Sequence, residues 1–195
     1  MRKVSIERKT KETNISLTLN LDGSGVYNVD TGCGFFDHML ELLTRHARFD
    51  LTVKCNGDIN VDYHHTVEDV GIVLGQAFKK ALGDMRGIIR YGTTILPMDE
   101  ALILTAVDIS GRSYLKIDLP VRASKIGDFP VELVEEFLQA FVRHASITLH
   151  VNKMAGTNSH HVVEGAFKSL ARSLKTAVKV DDEFKNEVPS TKGVL

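Results

Sequence analysis

Two short stretches of this chain carry the same set of metal-binding side chains. His64-His65-Thr66-Val67-Glu68 returns as His160-His161-Val162-Val163-Glu164, with both histidines and the glutamate displaced by the same 96 positions. Imidazole and carboxylate together suit Mn, Fe or Zn, and the affinity order among divalent ions does not choose between them. A helix brings residues three and four apart onto one face, whereas adjacent residues diverge by about 100°. Glu68 can therefore share one ion with one of His64 and His65 while the other histidine points elsewhere. Glu164 stands in the same relation to His160 and His161. The spacing predicts two ions, each taking a His–Glu pair from one repeat and a lone histidine from another. One such motif could simply line a loop; two in matching positions point to metal.

Motifs that repeat need a scaffold that repeats with them. Residues 13–21 alternate apolar and polar as a half-buried strand does, and Asp22-Gly23-Ser24-Gly25 turns the chain into a strand through Tyr27 and Val29. Helical spacing follows over 35–48, a strand over 51–55, and a helix with Val67, Val70, Val73, Leu74, Ala77, Phe78 and Ala81 on its inner face. The second half runs through the same order: strands at 101–108 and 114–119, a helix over 131–144, a strand over 147–151, and a last helix from Val163 to Val178. Arg45-His46-Ala47 has its counterpart in Arg143-His144-Ala145. An α+β fold of two fused, duplicated half-domains is expected, each a small sheet with two helices on one face. The repeats run roughly over 1–88 and 89–182 within one domain, with a tail at 183–195. His38 and Glu136 hold matching places on the preceding helices, and each could complete a site. His46, His144 and His150 stand alone on a helix end or strand and read as structural.

Composition narrows the function classes. Twenty-four basic residues against twenty-five acidic ones leave no net field to attract nucleic acid or an anionic membrane. Any anion must be held by locally placed groups. No run approaches the roughly 18 apolar residues of a membrane span, and the charged, alternating start does not resemble a signal peptide. Cys33 and Cys55 form neither a CxxC pair nor a disulfide framework, so a reducing cytoplasm is expected.

Beyond the histidine motifs, the chain carries Thr10-Lys11-Glu12-Thr13-Asn14, Gly34-Phe35-Phe36-Asp37-His38-Met39-Leu40, Asp108-Ile109-Ser110-Gly111-Arg112 and Pro189-Ser190-Thr191-Lys192-Gly193. Together with Asp62–Asp69 and Asn158–Glu164, they make the chain resemble the imidazoleglycerol-phosphate dehydratases over its whole length. The resemblance implies the ribosomal protein S5 domain 2-like fold. It also implies two manganese ions per chain, with His38, His64, His65, Glu68, Glu136, His160, His161 and Glu164 as ligands. Glu136 stands where many members have histidine. Glu12 matches the family's acid–base glutamate, and Arg90, Arg112, Lys168, Ser190 and Lys192 match its phosphate-binding positions, with His38 also at the substrate. Subunits that meet at the metals, in a cage of twenty-four chains built from trimers, are implied as well.

The reaction so implied removes water from D-erythro-imidazoleglycerol phosphate to give imidazoleacetol phosphate, a late step of histidine biosynthesis. The departing proton sits on a carbon with no carbonyl beside it, and a metal on the imidazole ring would answer that difficulty. Catalysis then falls to Glu12, His64, His65, Glu68, His160, His161 and Glu164. A dinuclear phosphatase would use the same ligand types but release inorganic phosphate. A ferritin-like store would need long bundled helices, and an RNA-binding sheet would need a basic patch; neither pattern is present.

Overall fold

Alternating burial along the strands builds two sheets that enclose a shared layer of helices. The computed structural model describes residues 2–193 and 195. Met1, in the first expected repeat, and Val194, in the expected tail, lie outside the described residues. The first half runs β1 (Lys3–Lys9), β2 (Thr13–Asn20), β3 (Tyr27–Asp30), α1 (Gly34–Ala47), β4 (Asp50–Gly57) and α2 (His64–Leu82). The second runs β5 (Tyr91–Met98), β6 (Ala101–Asp108), β7 (Tyr114–Asp118), a short hairpin β8 (Lys125–Ile126) and β9 (Phe129–Pro130), α3 (Leu133–Ala145), β10 (Thr148–Ala155) and α4 (Ser159–Ala177). Sheet orders are β1-β2-β4-β3 and β5-β6-β10-β7, so each half repeats the other strand for strand. In each, the third strand lies parallel to the fourth across a helical crossover and the remaining pairs are antiparallel.

One face of each sheet is apolar and buried. Ile15, Leu17 and Leu19 of β2 point inward beside Leu51, Val53 and Cys55 of β4, while Asn14 and Ser16 face solvent. Helix α2 lies against β2 and α3, and α4 against β5, β6 and α1, so the four helices fill the space between the sheets. The buried apolar residues of both halves form one continuous cluster, with Phe36, Phe137 and Phe141 among its fully enclosed members. Burial pushes the free thiols of Cys33 and Cys55 up to about 11, which keeps them protonated and inert. No helix among the described residues is long and apolar enough to cross a membrane.

The structure adds a leading strand to each half, so a repeat is three strands, helix, strand, helix rather than two strands, helix, strand, helix. Both added strands, β1 and β5, lie at sheet edges. In β1 only Val4 and Ile6 pack on the core, between charged neighbours. β5 contains Gly92 and Pro97, and a proline is tolerated in a strand only where its missing N–H is not needed, as at an edge.

Helices α2 and α3 approach closely because α2 places glycine at two consecutive turns. A Cβ at Gly71 would lie 2.9 Å from the Phe137 carbonyl oxygen, and one at Gly75 would lie 2.7 Å from that of Phe141. Both obstacles are backbone, which cannot rotate away. Gly75→Ala is therefore expected to destabilise the protein by about 1–3 kcal/mol despite alanine's better helix propensity. Thermal unfolding checks this: an unchanged or raised midpoint would show that the interface has slack.

Candidate metal and phosphate site

The two histidine pairs occupy the first turns of α2 and α4, where a side chain two residues ahead of each pair holds the backbone. Asn158 Oδ1 accepts from the N–H groups of His160 (2.9 Å) and His161 (3.4 Å), and Asp62 Oδ1 accepts from the His64 N–H (2.7 Å). Such side-chain acceptors satisfy the free amides of a helix start. The adjacent rings diverge as the helical turn requires: the His160 and His161 planes stand at 86° and those of His64 and His65 at 89°.

Within one pair, the first histidine meets the glutamate one turn on. His160 Nε2 lies 3.0 Å from Glu164 Oε2, and His38 Nε2, arriving from α1, lies 3.8 Å from the same oxygen. The three donor atoms fall within 4.8 Å of one another. Glu164 is only 7 % exposed, and Lys168 Nζ, one turn further along α4, sits 2.5 Å from its other oxygen. Burial alone would raise the Glu164 carboxyl, but the Lys168 ammonium and the His160 ring outweigh it and hold the group below the usual carboxylate range. Two imidazoles and one anionic oxygen form a donor set that fits a divalent transition metal such as Mn. The repeat mates His64, Glu68 and Glu136 stand on the packed helices α2 and α3. Among the described residues, only the His38–His160–Glu164 group closes to ligand distance within one chain.

The second histidine of each pair turns away and meets different carboxylates. His65 Nδ1 lies 2.9 Å from Asp58 Oδ2, and its Nε2 lies 3.7 Å from Glu12 Oε1. His161 Nδ1 lies 2.7 Å from Glu100 Oε2, and its Nε2 lies 3.8 Å from Asp99 Oδ2. The hydrogen bond to Asp58 raises the His65 ring, and that to Glu100 raises the His161 ring. Glu100 is pulled down to about 2 by His161 and by the backbone N–H groups of Asn158 and Thr157. The histidines read as structural have local partners: His144 Nδ1 donates to the Ala140 carbonyl (2.9 Å), and the His150 ring lies beside Tyr114. Burial, then the nearby Lys168 and Arg172, lowers the His46 ring.

The cationic residues divide into two places. Lys168 joins the metal group, and its Nζ also reaches Met98 Sδ at 3.6 Å. Arg90 lies at the opposite end of β5, paired with Asp108 (2.7 Å) and donating from Nη1 to the Pro189 carbonyl (2.8 Å). The tail therefore returns to Arg90, and its last residue reaches Gly111, beside Arg112. Ser190 Oγ caps the backbone N–H of Lys192 at 3.2 Å. Seven residue steps of strand separate Tyr91 from Met98, roughly 23 Å at about 3.3 Å per residue. Within one chain, Arg90, Arg112, Ser190 and Lys192 thus stand a strand's length from the Met98 end where Lys168 and Glu164 meet.

A family model described as imidazoleglycerol-phosphate dehydratase matches residues 31–174, which include both histidine motifs and the helices between them. The chain belongs to the imidazoleglycerol-phosphate dehydratase family. Relatives of that name from Dinoroseobacter shibae and Xanthobacter autotrophicus are 57% and 58% identical to it over 195 residues, all of this chain and 100% and 99% of theirs. The crystal structure of the dehydratase from Staphylococcus aureus superposes with a TM-score of 0.84 at 37% identity, covering 92% of this chain and 99% of that one. One from Pyrococcus furiosus, in complex with (S)-C348, gives the same TM-score at 35% identity over 97% and 100%. The enzyme is accordingly a carbon–oxygen hydro-lyase of histidine biosynthesis.

Two groups of polar residues around the site escape sequence reasoning. Asp58 and Glu100 are the carboxylates on the second histidines, yet each sits in a loop where an acidic residue ordinarily faces water. Their one signal is position: Asp58 directly follows β4, and Glu100 ends the tight β5–β6 turn. The other group pins the β1–β2 turn. Buried Asp69 of α2 accepts from the Thr13 hydroxyl (2.5 Å) and pairs with Arg8 (2.5 Å), holding both strands that flank Glu12.

Proposed function

We propose that the enzyme removes water from D-erythro-imidazoleglycerol phosphate to form imidazoleacetol phosphate, with two Mn²⁺ ions per chain, in a cytoplasmic homo-oligomer. The observation that carries this reading is the His38–His160–Glu164 group with Lys168 on its edge, since it sets a divalent-metal donor set beside a cation suited to phosphate. Family membership supplies the substrate class. His64, His65, Glu68, Glu136 and His161 would complete the ligand sets. Bound there, the metal supplies Lewis acidity to the imidazole ring of the substrate.

The hydroxyl leaves from the carbon attached to the ring, a proton leaves the next carbon, and the resulting enol becomes the ketone. Glu12 is the group assigned to that proton. Its carboxylate stands 3.7 Å from His65 Nε2 on a turn whose backbone is held by Asp58 N–H donating to the Glu12 carbonyl (3.1 Å). Arg90, Arg112, Ser190 and Lys192 are assigned to phosphate, where arginine's fork and a hydroxyl offer several donors. A strand's length separates them from the metal group, so a small phosphate ester cannot bridge both sets in one chain. Their joint use requires a second copy to bring its arginine end to the first copy's histidine end. Exposed Tyr91, Ile95 and Tyr114 on the outer face of the second sheet supply apolar surface for such contact, and the assembly proposed is a cage of twenty-four chains built from trimers.

The reading is tested by identifying what the enzyme makes. Incubation with imidazoleglycerol phosphate is expected to yield a ketone one water lighter that retains its phosphorus. Release of inorganic phosphate without ketone would replace the reading with a phosphatase.

A further inference from the structure

The two histidine pairs are repeat mates, but the carboxylates that orient their second members are not. Aligning β4 with β10 sets Asp58 opposite Gly156, which has no side chain to offer. Aligning β2 with β6 sets Glu100 opposite Glu12. In the second half the carboxylate of the leading hairpin turn grips its histidine directly: Glu100 Oε2 meets His161 Nδ1, while Oε1 accepts from the Thr157 and Asn158 amides at 3.1 and 2.7 Å. In the first half Asp58 takes that role, with its two oxygens 2.9 and 3.2 Å from His65 Nδ1. Glu12, the mate of Glu100, is left off the Nδ1 atom and stands toward Nε2 instead.

An ionised carboxylate can only accept, so Nδ1 must be the donor in both rings. The nearest acids to Nε2, Glu12 and Asp99, lie at 3.7 and 3.8 Å, beyond hydrogen-bond reach. Each ring therefore presents its Nε2 unengaged and in a fixed orientation, the arrangement that carboxylates impose on metal-bound histidines.

We propose that Asp58 and Glu100 are positioning residues that fix His65 and His161 with Nε2 outward as the lone histidine ligands, and that Asp58 frees Glu12 for proton transfer. The proposal rests on the metal reading given above. It makes the two metal sites chemically similar but differently supported, because the hairpin-turn glutamate holds its histidine at Nδ1 only in the second half and stands free of it in the first.

Equilibrium Mn²⁺ binding to the assembled, full-length enzyme tests this, with free ion followed by electron paramagnetic resonance. Wild type is expected to hold two ions per chain. Asp58→Asn and Glu100→Gln are each expected to weaken one of the two by about 10- to 100-fold, and the double variant to weaken both. The thermal midpoint of the metal-free protein should stay the same in all of them. Two ions bound at wild-type affinity in both single variants would overturn the proposal. A fall in the metal-free midpoint alongside the loss would also overturn it, by showing a merely structural role. A wild type that binds no Mn²⁺ would overturn the metal reading and this proposal together.

Discussion

Glu164→Gln is expected to lower turnover about a thousand-fold and to remove one Mn²⁺ per chain. The substitution keeps the shape of the side chain and removes its charge. His160 and His38 then face a neutral amide where they now share an anionic oxygen, and Lys168 loses the carboxylate at 2.5 Å. A Lewis acid contributes several kcal/mol to stabilising developing charge, and each 1.36 kcal/mol is about tenfold in rate, which sets the thousand-fold scale. Among the described residues, Glu164 supplies the one carboxylate of the group it forms with His38 and His160. Steady-state kinetics and metal content per chain check the prediction. A variant with wild-type turnover and two ions would remove Glu164 from the site.

Deleting residues from Pro189 onward is expected to lower kcat/KM by about 10²- to 10⁴-fold while leaving assembly intact. The deletion removes Ser190 and Lys192, and charge-assisted hydrogen bonds are worth about 1.5–3 kcal/mol each. It also frees Arg90 from the Pro189 carbonyl, so the guanidinium keeps only Asp108 and the face of the Tyr91 ring among the contacts that hold it. The core is closed without the tail: Pro189 to Lys192 contribute nothing to the buried cluster. The thermal midpoint and the assembled mass should therefore stay near those of the full chain. Retained activity in the truncated enzyme would contradict the role given to the tail.

The parts of this account that were legible in the sequence are those with a period. The helices show because Val67, Val70, Leu74, Ala77 and Phe78 recur on one face, and the His160–Glu164 contact shows because i and i+4 must meet on any helix. The leading strands escaped because their pattern is weak. β1 interleaves charged residues with Val4 and Ile6, and β5 carries a glycine and a proline that only an edge tolerates. That omission hid more than a strand. Without β5 there is no β5–β6 turn to present Glu100 to His161, and no measure of how far Arg90 stands from Lys168. Asp58 was hidden for another reason: an acid after a strand looks the same whether it meets water or an imidazole, and only the three-dimensional approach of α2 distinguishes them.

The most direct test of the central claim is turnover of imidazoleglycerol phosphate by metal-stripped enzyme, before and after Mn²⁺ is restored, with imidazoleacetol phosphate and free phosphate followed together. The account predicts no ketone from the stripped enzyme, ketone once Mn²⁺ is added, and free phosphate in neither case. Ketone formed at the full rate by the stripped enzyme, or phosphate released in its place, would contradict it.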